Sequence, residues 1–197
     1  MTQDAIRLQK EIAKKVITRD DFTSISRICG VDVAYEGDTA FCSAVVMESG
    51  SVVESANSQM TVKYPYVPGL LMLRESEPVM RTLALLKRGY DLLLVDGHGR
   101  LHPRKCGIAC YLGVMLNKPT IGVAKSRLCG TVRPDGFVEV GGEVLGYVVS
   151  KKMYVSVGHR VSLETAMVIV QERGIEPLRL ADINSKAQKR RRKGLKP

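Results

Sequence analysis

Between residues 3 and 17 the apolar positions Ile6, Leu8, Ile12 and Val16 fall near helical spacing among many charges, which predicts an amphipathic helix covering one face of a core. The period then changes. Ile28 to Tyr35, Ala40 to Met47 and Val52 to Val62 are β-prone runs separated by Gly-Asp at 37 and 38 and Ser-Gly at 49 and 50, short turns that predict an antiparallel three-strand meander. Helical spacing returns from Gly69 to Lys87 and from Lys105 to Leu116. A short apolar run follows each, Leu92 to Val95 and then Thr120 to Val123, and both read as buried strands. Strand, helix, strand implies a right-handed parallel crossover with the helix packed on the sheet. The expected class is therefore α/β, a mixed sheet of meander and parallel crossover strands flanked by helices.

Alternation resumes from Thr131 to Val155, with turns at Pro134 to Gly136 and at Gly141 and Gly142, and predicts a further hairpin. Ser162 to Arg173 has a capping serine, Glu164 in its first turn and apolar positions behind, so a late helix is expected there. From Lys186 to Pro197 seven of twelve residues are basic, which reads as a solvated arm. The expected organisation is one domain over residues 1–185 with a basic tail over 186–197.

Composition changes the picture in two ways. Thirty Lys and Arg against twenty Asp and Glu give a formal charge of +10, which suits a polyanionic partner such as nucleic acid. Five cysteines, an odd number without a dense framework, fit a reducing intracellular compartment, and the expected location is the cytoplasm. Cys106 and Cys110 share a helical face, yet no second Cys or His pair stands at zinc-ligand spacing, so they read as buried small side chains. No apolar segment reaches the roughly 20 residues of a membrane span, so no membrane partner is expected.

Two strands carry an acid against an apolar background, Asp32 in ICGVDVAY and Asp96 in LLLVDGHG. A carboxylate in a buried strand is costly unless paired or bound to a cation. In a mixed sheet the first strand and the strand after the first crossover can lie side by side, which brings both acids to one metal-sized pocket. Hard oxygen ligands suit Mg2+ or Mn2+. A third acid completes such a site, and Glu75 on the helix entering the crossover is the candidate. Tyr64 and Tyr66 stand in YPYVPG, where Pro65 and Pro68 stiffen the loop and bar an ordinary central strand. A stiff loop bearing an aromatic ring can enter a base stack; a core tyrosine is the other reading. GHGRLHPRK after the second acid is neither a Walker loop nor a dinucleotide fingerprint.

The segments GVDVAYEG (30 to 37), YPYVPGLLMLRESEP (64 to 78), VDGHGRLHPRKCGIA (95 to 109) and PTIGVAKSRLCG (119 to 130) resemble, in order, the motif set of the endonuclease V family. The resemblance continues through VSVGHRVSLETA (155 to 166) and EPLRLAD (176 to 182). It implies a ribonuclease H-like fold. It also implies a Mg2+-dependent phosphodiesterase, with Mn2+ able to substitute, that recognises hypoxanthine (deoxyinosine) in DNA. The cut implied is at the second phosphodiester bond on the 3′ side, leaving a 3′-hydroxyl and a 5′-phosphate. The metal-binding acids it implies are Asp32, Glu75 and Asp96, with Lys125 on the scissile phosphate or the attacking water and His159 beside the metal site. Tyr66 takes the wedge position with Pro65, Val67 and Pro68 around it. The implied base pocket draws on Gly69, Leu71, Gly97, His102, Ile108 and Leu128.

Two rival functions stay in view. One is an inosine-specific endoribonuclease of the same fold, separable by contacts to the ribose hydroxyl. The other is a non-catalytic nucleic-acid-binding protein, whose binding weakens with salt and ignores metal and inosine. In either case Lys189, Arg190, Arg191, Arg192 and Lys193 form a basic grip on nucleic acid, or a nuclear address in a eukaryotic cell. A monomer is expected.

Overall fold

The three β-prone runs pair as predicted, β1 (Arg27–Glu36) with β2 (Thr39–Glu48) and β2 with β3 (Ser51–Thr61), both antiparallel. The computed structural model describes residues 2–192 and 194. After the meander the chain forms α2 (Leu71–Leu83), β4 (Leu92–Asp96), α3 (Ile108–Leu116) and β5 (Thr120–Ala124). β4 lies parallel to β1, and β5 parallel to β4. The region expected to hold one hairpin contributes four strands, β6 (Thr131–Val132), β7 (Phe137–Val140), β8 (Glu143–Ser150) and β9 (Met153–His159). β9 joins β5 antiparallel, which gives one nine-stranded sheet in the order β3-β2-β1-β4-β5-β9-β8-β7-β6.

Helices cover both faces. On one face α2 and α3 bury Met72, Val79, Leu83, Ala109 and Leu112 against Val31, Leu93 and Val95. α1 (Thr2–Lys15) packs behind α3 through Ile12, Cys106 and Cys110. On the other face α4 (Leu163–Val168), its π-helical continuation Ile169–Arg173 and α5 (Glu176–Arg192) cover Ile28, Leu92, Leu94, Ile121 and Val157. Period-two alternation in β4 divides its residues between these layers: Leu93 and Val95 face α2 and α3, while Leu92 and Leu94 face α4 and α5. This is the ribonuclease H-like mixed sheet that the motif resemblance implied. Among the described residues no helix is long and apolar enough to cross a membrane.

Local chemistry explains several boundaries. Ser162 caps α4, its Oγ accepting from Thr165 N–H at 3.1 Å. Pro78 inside α2 has no N–H for the Arg74 carbonyl, and the Tyr35 hydroxyl donates to that carbonyl instead at 3.3 Å. α3 begins at Ile108 rather than Lys105 because Lys105 adopts φ +52, outside a right-handed helix.

The largest departure from expectation is at the end of the chain. Residues 186–192 continue α5, and the domain boundary placed at 185 falls inside this helix. Gln188 Nε2 donates to the Cys42 carbonyl at 3.2 Å, and Arg192 donates to the Thr39 hydroxyl, so this stretch is packed on β2. Lys193 lies outside the described residues.

Candidate active site

Sheet register brings the two strand acids together. Val31 of β1 is paired with Val95 of β4, so Asp32 and Asp96 stand on the next rung of adjacent parallel strands. Asp96 is in turn paired with Val123 of β5, two residues before Lys125. A third carboxylate comes from α5. Asp32, Asp96 and Asp182 each present an oxygen, and these oxygens all lie within 4.8 Å of one another. Ser185, one turn further along α5, donates its hydroxyl to Asp32 Oδ2 at 2.6 Å.

α5 reaches this position because of Gly30, two residues before Asp32 on the same face of β1. A Cβ at Gly30 would lie 2.2 Å from Leu178 N and 2.3 Å from the Pro177 carbonyl carbon, so only glycine lets the helix backbone rest on the strand. The buried stripe of α5 is Pro177, Leu178, Ala181 and Ser185, with Asp182 beside it at the ends of β1 and β4.

The charges explain the pKa pattern. Burial raises the Asp32 carboxyl to about 6; the Ser185 hydrogen bond opposes the shift, and Asp96 and then Asp182 reinforce it. Glu75 is raised to about 8, by burial first and then by the fields of Asp32 and Asp96, against the smaller effect of Arg74. Lys125 Nζ donates to Asp96 Oδ2 at 2.5 Å and to Asp182 Oδ1 at 3.2 Å. Burial works against its charge, but those two carboxylates outweigh it and raise its pKa. Asp182 moves the other way: burial opposes the shift, and Lys186 at 2.6 Å together with Lys125 lowers its pKa. Three carboxylate oxygens within 4.8 Å of one another form a donor set that fits a hard divalent cation.

Glu75 is not one of the three clustered acids, but it lines the same cleft as Asp32 and Asp96, a cavity of about 320 Å³. Each residue expected in the base pocket, Gly69, Leu71, Gly97, His102, Ile108 and Leu128, also lines it, as do Tyr66 and Lys125. Gly97 has φ +149, and a Cβ there would strike Ile108 Cγ2 at 2.6 Å. At Gly99 the reason is packing, since a Cβ would sit 2.0 Å from the Val157 carbonyl oxygen of β9.

Tyr66 is 64% exposed, which removes the reading of a core tyrosine. Its loop is nevertheless held firmly. Arg74, buried with its guanidinium 4.3 Å from the Tyr35 ring centroid, donates to the Tyr64 carbonyl and, at 2.9 Å, to the Gly37 carbonyl. At the other end of the loop the Gly69 carbonyl accepts from Gln9 Nε2 at 3.0 Å, Arg104 Nη2 at 2.7 Å and His102 Nε2 at 3.0 Å. His102 Nδ1 accepts from Arg104 N–H, which places the ring proton on Nε2. Burial, ahead of the neighbouring cations, lowers the pKa of this ring to about 4, so it is neutral at physiological pH.

His159 is not brought into the site. It pairs with Thr120 at the start of β5, three residues from the Val123 that pairs with Asp96, roughly 10 Å along the strand. Its Nδ1 accepts from Ile17 N–H at 3.2 Å, a structural contact between β9 and the segment after α1. The nitrogen-bearing side chain that does line the cleft from the GHG turn is His98, whose Nε2 is 2.9 Å from the Ser126 carbonyl. Sequence reasoning missed Asp182, Ser185, Gln9 and Arg74. For Asp182 a signal existed, a carboxylate three residues from a serine beside Leu178 and Ala181 at helical spacing.

Comparisons with known proteins agree with this geometry. The endonuclease V family model matches residues 10–183. The chain is 48% identical to endonuclease V of Thermofilum pendens, over 94% of this chain and 88% of that protein. The solved endonuclease V from Streptomyces avermitilis superposes with a TM-score of 0.87 at 32% identity, covering 98% of this chain and 95% of the other. The Ciona intestinalis endonuclease V, solved with a 24mer DNA containing an inosine followed by a ribo-adenosine, superposes at 0.84 with 30% identity over 96% and 98%. A family match spanning most of the chain, joined to a close structural match and to an acid-lined cleft at the ends of adjacent central strands, makes this chain a member of the endonuclease V family and hence a nuclease.

Proposed function

We propose that the chain cuts nucleic acid beside hypoxanthine, hydrolysing the second phosphodiester bond on its 3′ side and leaving a 3′-hydroxyl and a 5′-phosphate. The observation that carries this reading is the meeting, in one cleft, of clustered carboxylates and a pocket walled by Gly69, Leu71, Gly97, His102, Ile108 and Leu128. Asp32, Asp96 and Asp182 would hold Mg2+, or Mn2+ in its place; an all-oxygen donor set suits these hard cations. Bound there, the ion supplies a water of lowered pKa and positive charge beside the oxygen that leaves. Glu75, which lines the same cleft, would bind the same ion or take the proton of the attacking water. Lys125 orients the scissile phosphate from the rim shared by Asp96 and Asp182. His159 has no part in this reading.

Base recognition follows from packing. Hypoxanthine differs from adenine in its O6 acceptor and protonated N1, and backbone groups lining the pocket would distinguish them. Tyr66 fills the gap left by the extruded base. The basic residues Lys189, Arg190 and Arg191 at the end of α5 add sequence-independent attraction for phosphates, while Arg192 is turned toward Thr39. The reading includes a monomer, and a cytoplasmic location that five free cysteines fit.

A labelled duplex with one deoxyinosine, incubated with the protein and with Asp96→Ala in Mg2+ or chelator, tests the proposal. A Mg2+-dependent nick one nucleotide beyond the lesion, lost in the variant, is expected. An uncut DNA strand together with a cut inosine-containing RNA would assign the activity to RNA, a reading favoured by the ribo-adenosine in the Ciona complex.

A further inference from the structure

A second cavity, of about 120 Å³, opens on the α5 side of the carboxylates. Val123, Met153, Ile175 and Leu178 form its apolar floor, and Lys152 and Arg179 stand at its rim. It shares Asp96, Ala124 and Lys125 with the larger cleft, so the two cavities meet at the acids. A strand whose scissile phosphate lies at Asp96 and Lys125, with one base in the larger cleft, has this second cavity next to its cut.

The lining suits a nucleotide. Apolar side chains accept the face of a base or sugar without reading its edge. The rim cations match a phosphate. Lys152 sits in the β8–β9 turn and is exposed. Arg179 is held by Glu176 in an exposed pair at 2.6 and 2.7 Å, and such pairs yield readily to a phosphate.

We propose that this cavity holds the nucleotide immediately 3′ of the cut, with its base or sugar on the Met153, Ile175 and Leu178 floor and its next phosphate on Lys152 and Arg179. The proposal rests on the reading of the acids and base pocket given above and adds the other half of the substrate's footprint. Lys152 and Arg179 are positioning residues that take no part in bond breaking. The floor offers no directional donor, so the base at this position is read weakly or not at all.

The test measures binding in chelator, by fluorescence anisotropy, of two inosine-containing strands. One continues several nucleotides past the cut; the other ends there in a 3′-hydroxyl. Wild-type protein is expected to bind the longer strand more tightly. Lys152→Ala/Arg179→Ala should weaken the longer strand about tenfold and leave the shorter within about twofold, because only phosphate contacts beyond the cut are lost. In turnover the same variant should raise KM and leave kcat unchanged. Equal weakening of both strands, or no weakening of either, overturns the proposal. If the wild type binds inosine strands no better than their adenosine counterparts, the base-pocket reading fails, and the comparison of long and short strands still decides this cavity independently.

Discussion

Gln9 of α1 accepts a hydrogen bond from Arg104 Nε at 2.6 Å although 95 residues separate them, and its own amide donates to the Gly69 and Cys106 carbonyls. One side chain, 1% exposed, thus ties the first helix to both loops that wall the base pocket. Gln9→Leu keeps the volume and removes every one of these bonds, leaving Arg104 Nε and the Cys106 carbonyl without this partner, while the Gly69 carbonyl keeps Arg104 and His102. A loss of about 2–4 kcal/mol in urea unfolding is expected, since each buried polar group left unpaired costs about 1–3 kcal/mol. The ratio of kcat/KM between inosine and adenine substrates should narrow alongside it. Gln9→Glu, which still accepts from Arg104, should recover part of both, and an unchanged ratio in Gln9→Leu would remove Gln9 from recognition.

The carboxylate cluster predicts an inverted pH dependence of stability in the absence of divalent cation. Asp32 and Glu75 have folded pKa values raised to about 6 and about 8, so these two groups bind more protons in the folded state than in the unfolded chain between roughly pH 4 and 8. Stability from these groups is fully present below their unfolded values and is lost as pH rises through the folded ones. Melting temperature in chelator should therefore fall most clearly above about pH 6.5, where the lowered pKa of His102 no longer opposes the two carboxyls, and Glu75→Gln should flatten that fall. Added Mg2+ should restore stability most at the alkaline end, where the carboxylates are charged.

Asp182 should matter as much as the strand acids. Asp182→Asn keeps the shape of α5 and removes one charge from the cluster, and a fall in kcat of about 100-fold or more is expected, the scale of losing a charged group that acts in the transition state. Ser185→Ala should act differently. Its hydroxyl lowers the Asp32 pKa, so its removal raises that pKa, and half-maximal cation binding should move to higher pH. Calorimetric titration with Mg2+ between pH 5 and 8 reads the shift directly.

Tyr66 and Arg74 separate exposure from support. Tyr66→Ala alters a largely exposed side chain and should leave melting unchanged while weakening binding to duplex inosine DNA, an aromatic contact with a base being worth about 1–3 kcal/mol. Arg74→Met should lower melting as well, because the Tyr64 and Gly37 carbonyls lose a buried donor. Equal effects of both variants on binding alone would show that the loop needs no anchor.

How much of this was legible in the sequence depends on which face a residue serves. Asp32 and Asp96 stood out because each interrupts an apolar strand, and strand adjacency then follows from the crossover. Asp182 did not, because the buried stripe of α5 after Leu178 is only Ala181 and Ser185, a faint apolar period in a helix whose backbone rests on Gly30. The basic run after it looked like an arm for the same reason. His159 was drawn in by a local motif, yet its place at the site was a matter of which end of a strand it occupied, and that is set by the antiparallel pairing of β9 with β5. The Gln9, Arg74 and Arg104 contacts join segments far apart in the chain, which no local pattern encodes.

The distribution of the three clustered acids along the chain also bears on how the protein is made. Asp32 and Asp96 are translated early, on strands β1 and β4. Asp182 arrives only with α5, some eighty residues after Asp96. Of the formal charge of +10, residues 1–181 hold +4 (23 Lys and Arg against 19 Asp and Glu), and residues 182–197 hold the remaining +6. The order of synthesis therefore delivers the third carboxylate and most of the positive charge together, in the same late stretch of chain.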